Sequence, residues 1–446
     1  MDLIQNIFNA GIVGCGGAGF PTHVKLNAKP EYFIINGAEC EPLLRTDRYI
    51  MTNLADQLIA GADAILQALN IKNGYIAVKD HYKEEIAALQ KAINDAGSSM
   101  QIHLMESFYP AGDEQVIVYE VTGRVVPPAG IPLYVGAVVD NVATVLAIAD
   151  AIEEKPLTDK YLTVTGEVKS PVVLHVPVGT SFTQCIEMAG GALIRDYIVV
   201  AGGPMMGRTM SKEEAERTVV TKTTSGILIL PVDTKIGNRF ETDMKHMLNR
   251  AKSACIQCSF CTDMCPRHML GHPLKPHKIM RKMAVSTDVA SLLDDPDIRQ
   301  ASICCECGIC ETYACPMGLN PRTINGMLKK ELAKAGIRYE RKENSWTPNE
   351  NRDMRKAPTM KVAYRAGVGK YYDYSIKKCL EAIPDVVEIP IKMHIGAPSE
   401  PCVADGQCVA KGQLIAKCPE GKLGANIHAS ISGTVELVKD CIKITG

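Results

Sequence analysis

Residues 255–266 read Cys-Ile-Gln-Cys-Ser-Phe-Cys-Thr-Asp-Met-Cys-Pro, and residues 304–316 read Cys-Cys-Glu-Cys-Gly-Ile-Cys-Glu-Thr-Tyr-Ala-Cys-Pro. Both stretches contain three cysteines at C-x-x-C-x-x-C spacing and a fourth cysteine directly before proline. The second stretch has one extra residue before that fourth cysteine. Three thiolates on such a tight loop can reach three irons of one cubane, while the Cys-Pro turn carries the fourth thiolate to another cube. The pattern predicts two [4Fe–4S] clusters.

Each cluster is expected to take its fourth ligand from the other motif. The first cluster is then bound by Cys255, Cys258, Cys261 and Cys315, and the second by Cys304, Cys307, Cys310 and Cys265. Zinc is the alternative metal, but zinc ribbons use two cysteine pairs separated by a dozen or more residues, which matches these two compact runs badly. Paired cubanes carry single electrons, so we expect an electron-transfer protein that needs no catalytic side chain.

Length and composition narrow the classes of protein. A chain of 446 residues suggests about three domains. Basic and acidic residues number 49 and 50, and this balance argues against a nucleic-acid partner. The longest apolar stretch, 131–152, contains Asp140, Asn141 and Asp150, which argues against direct membrane insertion. The N-terminus lacks a basic start followed by an apolar core, so we expect a cytoplasmic protein whose 17 cysteines serve metal or redox chemistry.

The order of predicted elements gives a multidomain fold of α/β and α+β type. In the first part, strands at 31–36, 75–78 and 101–105 alternate with helices at 54–69 and 84–96, which is typical of a layered, mostly parallel sheet. Short strands with one helix follow, then a helical region with the cysteines, and finally closely spaced short strands. The predicted divisions are an α/β domain at 1–158, a small α+β domain at 159–235, a helical dicluster domain at 240–335, a charged and irregular linker at 336–386, and an all-β domain at 387–446.

A glycine-rich segment lies near the N-terminus. Gly14-Cys15-Gly16-Gly17-Ala18-Gly19 matches G-x-G-x-x-G, and Glu39 lies 20 residues further on. A dinucleotide-binding loop of this kind follows a strand and opens a helix, but residues 3–10 have a helical pattern. The segment is therefore not read as a Rossmann loop. Glycines still let backbone N–H groups approach a phosphate or a ring closely.

A longer pattern resembles the flavin- and NADH-binding subunit of respiratory complex I. It comprises Gly14–Phe20 with Lys25, then Asn36-Gly37-Ala38-Glu39-Cys40-Glu41-Pro42, then residues 112–114 and 140–144. The resemblance implies FMN and NADH as cofactors, with Lys25 at the phosphate, the two asparagines at the ring or ribityl chain, and Glu39, Glu41 and Glu114 at nicotinamide or ribose groups. The implied binding residues are Gly14, Gly16, Gly17, Gly19, Phe20, Lys25, Asn36, Glu39, Glu41, Gly112, Asp113, Glu114, Asp140 and Asn141. The sequence departs from the family pattern where Cys15 replaces an arginine and Ala38 replaces an aspartate.

The whole chain is similar to the family of the Rnf-complex C subunit and the Pdu-type cobalamin reductase. That family combines a flavin domain, a β-grasp (SLBB) module, here around Gly202–Gly207, a dicluster domain and a barrel-sandwich hybrid domain, which comes last in this chain. The resemblance implies an NADH-oxidising subunit that passes electrons through FMN and two [4Fe–4S] clusters to a partner, for example a methylenetetrahydrofolate reductase-type complex. The alternatives are a cobalamin (corrin) reductase of a microcompartment and a flavin-free electron-transfer or scaffold subunit.

A local basic run follows the second cysteine motif. It consists of Lys329, Lys330, Lys334, Arg338, Arg341 and Lys342. Such a run is usually a solvated helix face, and the alternative is a docking patch for an acidic redox partner. Homo-oligomerisation also stays open at this stage.

Overall fold

The structure is a computed structural model that describes residues 2–286, 289–341 and 345–446. Lys342, Glu343 and Asn344, which belong to the predicted linker and in part to the basic run, lie outside the described residues.

A four-stranded parallel sheet forms the centre of the N-terminal domain. Its helices are α1 Leu3–Asn9, α2 Thr22–Leu26, α3 Thr46–Asn53, α4 Ala55–Leu69, α5 Lys83–Ala96, α6 Glu114–Thr122 and α7 Val142–Ile152; its strands are β1 Tyr32–Gly37, β2 Asn73–Lys79, β3 Gln101–Met105, β4 Phe108–Tyr109 and β5 Ala137–Asn141. The sheet order is β3-β2-β1-β5, and all three pairings are parallel. The layered α/β domain predicted from the alternating pattern is confirmed.

The second domain is a mixed sheet with small helices. Its elements are β6 Asp159–Gly166, β7 Val172–Pro177, α8 Phe182–Met188, β8 Tyr197–Ala201, β9 Arg208–Ser211, α9 Lys212–Ala215 and β10 Gly226–Pro231. The strand order is β12-β7-β6-β10-β8-β9, where β12 (Cys379–Glu381) comes from much later in the chain. Sequence patterning found four of these strands but missed β9 and β12.

Helices dominate the cysteine-rich domain. They are α10 Lys235–Glu241, α11 Met244–Ala254, α12 Phe260–Asp263, α13 Pro266–Met269, α14 Pro276–Val285, α15 Pro296–Arg299 and α16 Pro321–Lys334, with a π-helical turn at Cys310–Ala314. A core of buried aliphatic side chains, including Ile279, Ile298 and Ile324, lies between these helices.

The stretch predicted to be an irregular linker is partly regular. It contains β11 (Ala357–Pro358), α17 (Thr359–Arg365) and β12, and β11 pairs with β4 of the N-terminal domain. Val362 and Ala363 are buried in a core shared with that domain and with the β-grasp domain. The charged residues at the start of the stretch favoured a linker, whereas these later apolar residues bind it to the rest of the protein.

Short antiparallel strands form the C-terminal domain. They are β13 Val386–Pro390, β14 Glu400–Pro401, β15 Cys408–Val409, β16 Leu414–Lys417, β17 Ile427–His428, β18 Gly433–Val438 and β19 Cys441–Thr445. Two sheets, ordered β13-β19-β18-β15 and β14-β16-β17, enclose an apolar core, so the predicted all-β domain is confirmed.

A buried lysine connects three domains. Lys222 of the β-grasp domain is 1% exposed, and its ammonium donates to the carbonyl of Gly11 at 2.6 Å and to that of Asn426 at 2.7 Å. Near this point, Ile395 N–H of the C-terminal domain donates to the carbonyl of Gly19 at 3.0 Å. The C-terminal domain therefore packs directly against the glycine-rich loop.

Replacing this lysine tests the connection. We expect Lys222→Met to lower the free energy of unfolding by about 2–3 kcal/mol, because two buried carbonyls lose their donor while the volume is kept. Denaturant unfolding of the complete chain measures the change. Lys439→Met, on an exposed turn, is the matched control. Equal stability of the two variants would contradict the proposed role.

Candidate functional site

A polar cavity lies at the carboxyl edge of the parallel sheet. Its volume is about 110 Å³, and six of the predicted cofactor residues line it: Gly16, Asn36, Glu39, Glu41, Gly112 and Asn141. Asn36 and Asn141 are register partners on β1 and β5. Because parallel strands end at the same edge of a sheet, residues that are far apart in the sequence meet here, as is usual for ligand sites in open α/β folds.

The two asparagines are fixed by hydrogen bonds. Asn36 Nδ2 donates to the carbonyl of Gly112 at 2.8 Å, and Asn141 Nδ2 donates to Asp47 Oδ2 at 2.7 Å. A Cβ on Gly16 would lie 2.7 Å from Asn141 Cγ, so this position accepts only glycine unless Asn141 moves. The glycine-rich loop thus approaches the strand ends closely, as a binding loop requires.

Half-buried carboxyl groups line the same cavity. Glu39 Oε2 accepts the backbone N–H of Asp47 at 2.8 Å. Burial and the nearby Asp47 carboxylate raise the pKa of Glu39, and burial raises the pKa of Asp47 as well. Two adjacent acids that both resist ionisation tend to retain a proton between them near neutral pH.

The third acid of the cavity connects it to the β-grasp domain. Glu41 accepts the backbone N–H groups of Met205 and Met206, both at 2.8 Å, and burial raises its pKa to about 7. The Gly202–Gly207 loop of the β-grasp domain therefore holds the Glu41 carboxyl group in place at the cavity. Burial also raises the pKa of the neighbouring Cys40 to about 12, which keeps this thiol protonated.

Several predicted cofactor residues lie outside the cavity lining. Lys25 was expected to meet a phosphate, but its ammonium pairs with Glu114 at 2.9 Å and Asp140 at 3.5 Å and also donates to the carbonyl of Val139. Burial alone lowers the pKa of Lys25, yet the two carboxylates outweigh burial and raise it. Lys25 is thus a neutralised cation, with Glu114 and Asp140 as its ion-pair partners. Asp140 Oδ2 remains buried without a hydrogen-bond partner among the described residues.

The remaining predicted residues have structural neighbours of their own. Asp113 caps α6 by accepting N–H groups of Gln115 and Val116, and it pairs with Arg267. These contacts hold Asp113 at the start of α6, and its assignment to the cofactor stays a prediction. Gly14 N–H donates to the carbonyl of Phe20 at 2.9 Å and closes the loop. Gly17 and Phe20 are exposed on the loop, while Gly19 is buried against the C-terminal domain.

Sequence reasoning missed a lysine from the next domain. Lys160 of β6 is 3% exposed, donates to the carbonyl of Cys15 at 3.3 Å, and lines both this cavity and an adjoining one of about 330 Å³. The sequence contained a sign of this position: Lys160 shares a strand face with Leu162 and Val164, where an apolar residue is expected, so a lysine there is unusual. Asp47 and Ser225 also line the cavity and were missed.

The residues present are compatible with a flavin mononucleotide. The adjoining cavity alone falls within the usual range of about 300–1,000 Å³ for cofactor pockets. The exposed loop offers glycine backbone, and the cavity offers amide and carboxyl groups for a polar ring edge. We find no feature of the lining that conflicts with such a ligand.

The eight motif cysteines form two neighbouring groups. Cys255, Cys258, Cys261 and Cys315 line one small pocket, which we call the first cysteine group. Cys265, Cys304, Cys307 and Cys310 are all buried, and we call them the second cysteine group. Burial is the main cause that raises the pKa of Cys310, and the adjacent thiols of Cys304 and Cys265 raise it further. The fourth ligand of each group thus lies in the other motif, as the spacing predicts.

The two cysteine loops share one backbone conformation. Gln257 and Ser259 have φ of 55° and 63°, and the corresponding Glu306 and Gly308 have φ of 57° and 79°. This left-handed geometry turns backbone N–H groups toward the sulfurs, and Glu306 N–H lies 3.4 Å from Cys304 Sγ. Within the described ranges, no three or more His, Cys, Asp or Glu side chains are arranged so that they could hold a single metal ion. A cubane needs a wider arrangement, because each sulfur binds a different iron.

The extra residue of the second motif is absorbed by a π-helical turn. Between Cys310 and Cys315 the chain forms a π-helix, in which Cys315 N–H donates to the carbonyl of Cys310 at 3.1 Å. In the first motif the corresponding segment is the α-helical turn Phe260–Asp263. A single-residue insertion into a helix is commonly accommodated in this way, and the fourth cysteine keeps its place.

Two contacts join the N-terminal domain to the second cysteine group. The hydroxyl of Tyr109 donates to the carbonyl of Cys307 at 2.6 Å. Asp113, directly after the cavity residue Gly112, forms a bidentate pair with Arg267 at 2.6 and 2.9 Å, and Arg267 follows Cys265-Pro266. The second group is thus buried beside the cavity, whereas Cys258 of the first group is exposed.

Models of known protein families match most of the chain. Matching family models are the Nuo51 FMN-binding domain at 7–150, the SLBB domain at 161–209, the 4Fe-4S dicluster domain at 254–320 and the RnfC barrel sandwich hybrid domain at 372–446. The cobalamin reductase PduS of Citrobacter freundii is 40% identical over 98% of this chain and 94% of its own length. The chain belongs to the RnfC and Pdu-type cobalamin reductase family. It is therefore an oxidoreductase with FMN and two [4Fe–4S] clusters as its cofactors.

Other members of the family match less of the chain. The RnfC-type component of the Na(+)-translocating ferredoxin:NAD(+) oxidoreductase complex of Acetobacterium woodii is 38% identical over 59% of this chain and 57% of its own length. Among solved structures, a chain of an NAD+-reducing [NiFe]-hydrogenase aligns with 76% of this chain and 62% of its own length, at 20% identity and a TM-score of 0.48.

In the described part of the chain, no helix is long and apolar enough to span a bilayer.

Serine substitutions test the exchange of fourth ligands. We expect Cys265→Ser to damage the cluster of the second group, giving the same spectrum as Cys304→Ser, and Cys315→Ser to match Cys255→Ser, because serine is a poorer ligand for iron. Each variant should lose about half of the bound iron. Iron analysis and electron paramagnetic resonance of the reduced proteins measure this, with the exposed Cys402→Ser as control. A Cys265→Ser spectrum like that of Cys255→Ser would contradict the assignment.

The raised pKa of Glu39 predicts a pH dependence of stability. The folded protein keeps a proton that an unfolded glutamic acid, with an ordinary pKa of 4.5, has lost, so stability falls as pH rises from that value toward the raised one. Glu39→Gln should flatten this decline between about pH 5 and 8, by at most about 1.4 kcal/mol per pH unit. Unfolding midpoints across that range provide the measurement. Curves parallel to those of the exposed control Glu187→Gln would contradict the prediction.

Proposed function

We propose that this protein oxidises NADH in its flavin cavity and passes the electrons singly to a partner oxidoreductase. The observation that carries the proposal is the spatial order of three centres. The domain that contains the polar cavity contacts the buried second cysteine group through Tyr109, and the second group adjoins the first, whose Cys258 is exposed. FMN, when bound, supplies the conversion of a two-electron hydride into single electrons.

The residues between the centres fix this order. Tyr109 and Asp113 come from the flavin domain and hold Cys307 and Arg267 of the dicluster domain. The side chains of Asp113 and Arg267 are 12% and 10% exposed, so their pairing is little weakened by solvent. Arg267 also lies near Cys307, so this pair stands directly beside the second cysteine group.

The carboxyl groups of the cavity suit an anionic reductant. A dinucleotide carries two phosphates, and ionised acids in the cavity would repel it. The raised pKa values of Glu39 and Glu41 keep these groups wholly or partly protonated near neutral pH. Protonated carboxyls also supply O–H donors to amide or ribose oxygens. The protonated carboxyl groups therefore support NADH as the reductant. Lys160, which is buried and lines the same cavity, supplies a nearby cation.

A second candidate for the acceptor is a corrin. The relatives that match nearly the whole chain are named cobalamin reductases, including that of Salmonella typhimurium, which is 39% identical over 98% of this chain. The Rnf subunits match only about three fifths of this chain. This difference favours cobalamin as an acceptor, whether free or bound to an enzyme.

An anaerobic titration with NADH tests the proposal. We expect flavin and cluster absorbance to bleach together in the holoprotein. In Cys265→Ser the flavin should still be reduced while the surviving first cluster responds at least about tenfold more slowly, because the intermediate centre is lost. In Cys315→Ser the second cluster should respond as in the wild type. Clusters that dithionite reduces but NADH does not would sink the proposal.

The same reduced protein distinguishes the acceptors. Rapid oxidation by cob(III)alamin supports the corrin reductase. Failure with both free and protein-bound corrin, while a partner oxidoreductase reoxidises the clusters, supports the first candidate.

A further inference from the structure

Helix α17 presents an exposed face beside the cysteine loops. Its buried side chains, Val362 and Ala363, pack into the core, whereas Met360 and Tyr364 on the opposite face are 49% and 60% exposed. Large apolar side chains grouped at the surface and rimmed by charge often indicate an interaction site.

This face forms one wall of a groove of about 560 Å³. The other wall comes from both cysteine motifs: Phe260 lies between Cys258 and Cys261, and Tyr313 lies between Cys310 and Cys315. Phe260 is 45% exposed. A molecule in the groove therefore touches the loop of each cysteine group, only one or two residues from the sulfurs.

The groove is rimmed by positive charge. Arg355, Lys361 and Arg365 line it, and in the described part of the chain no acidic residue does. Arg365 also donates to the carbonyl of Tyr313 at 3.4 Å, which holds the rim against the π-helical turn. The whole chain has a net charge of −1, so this basic rim is a local feature.

We propose that the groove docks a small acidic protein that carries one electron, and that electrons leave the clusters here. The inference rests on the proposed function and names the class of its partner. Exposed Met, Tyr and Phe side chains with an Arg and Lys rim are typical of a protein interface. A corrin offers mainly neutral amides and would gain little from three cations. In the transfer, the reduced cluster loses one electron and the carrier gains it, with no bond made or broken.

Binding tests the groove without any NADH chemistry. The probe is an acidic flavodoxin, whose absorbance differs from that of iron–sulfur clusters. We expect Lys361→Glu/Arg365→Glu in the oxidised holoprotein to weaken flavodoxin binding at least about tenfold at roughly 0.01 M ionic strength, and the difference to vanish near 1 M salt. Lys72→Glu/Lys439→Glu makes the same change in net charge at exposed positions elsewhere and should bind like the wild type.

Electron transfer is measured on dithionite-reduced protein in a stopped-flow instrument. Oxidation by flavodoxin should slow at least about tenfold in Lys361→Glu/Arg365→Glu at low salt, while oxidation by the small cation hexaammineruthenium(III) should not slow. That second oxidant, with the cluster spectrum, shows that the variant is folded. Tyr364→Ser, which keeps the charge, should also weaken binding.

Two outcomes would overturn the inference. One is equal binding and oxidation rates in Lys361→Glu/Arg365→Glu and its control variant. The other is unchanged flavodoxin binding combined with slower reduction of cob(III)alamin in Tyr364→Ser, which would assign the groove to a corrin. Neither result depends on NADH, so failure here is distinct from failure of the proposed function.

Discussion

The bidentate pair between Asp113 and Arg267 is the contact on which the arrangement of redox centres depends. Asp113 is fixed at the start of α6, next to the cavity residue Gly112, and Arg267 is fixed two residues after Cys265. Burial raises the pKa of Asp113, but Arg267 and two backbone N–H groups outweigh burial and lower it. Removing one partner of such a buried pair costs about 3–5 kcal/mol because the other charge is left buried and unpaired, so each residue depends on the other domain for its partner.

Burial distinguishes the two cysteine groups. All four cysteines of the second group are buried, whereas those of the first group are exposed or half-buried. A centre between the cavity and the surface group is shielded from solvent oxidants and can exchange electrons only with its two neighbours. The surface group, flanked by Phe260 and the basic rim, is the centre that a partner can reach. The exposed groove and the buried centre are therefore two consequences of one layered packing.

The cysteine groups were predictable from sequence because cubane ligation depends on local spacing. The flavin cavity was predictable only in part, since its strand-end residues follow from parallel pairing, but their final partners come from distant segments. Lys25 is neutralised by Glu114 and Asp140, Asp113 by Arg267, and Lys160 enters from another domain. None of these pairings leaves a local pattern. For the same reason the sequence pattern missed β12, because this strand pairs with a strand about 200 residues earlier in the chain.

The one-residue difference between the motifs has a consequence beyond ligation. A π-helical turn leaves carbonyls without their usual helical donors, and two of these carbonyls, those of Thr312 and Tyr313, accept hydrogen bonds from Lys235 and Arg365. The last carbonyls of any helical turn lack donors within the helix, so the end of this turn offers acceptors to cations. Lys235 and Arg365 occupy two of them, and Arg365 also lines the groove. The turn between Cys310 and Cys315 therefore connects the geometry of the second cysteine motif to the positive charge of the surface beside it.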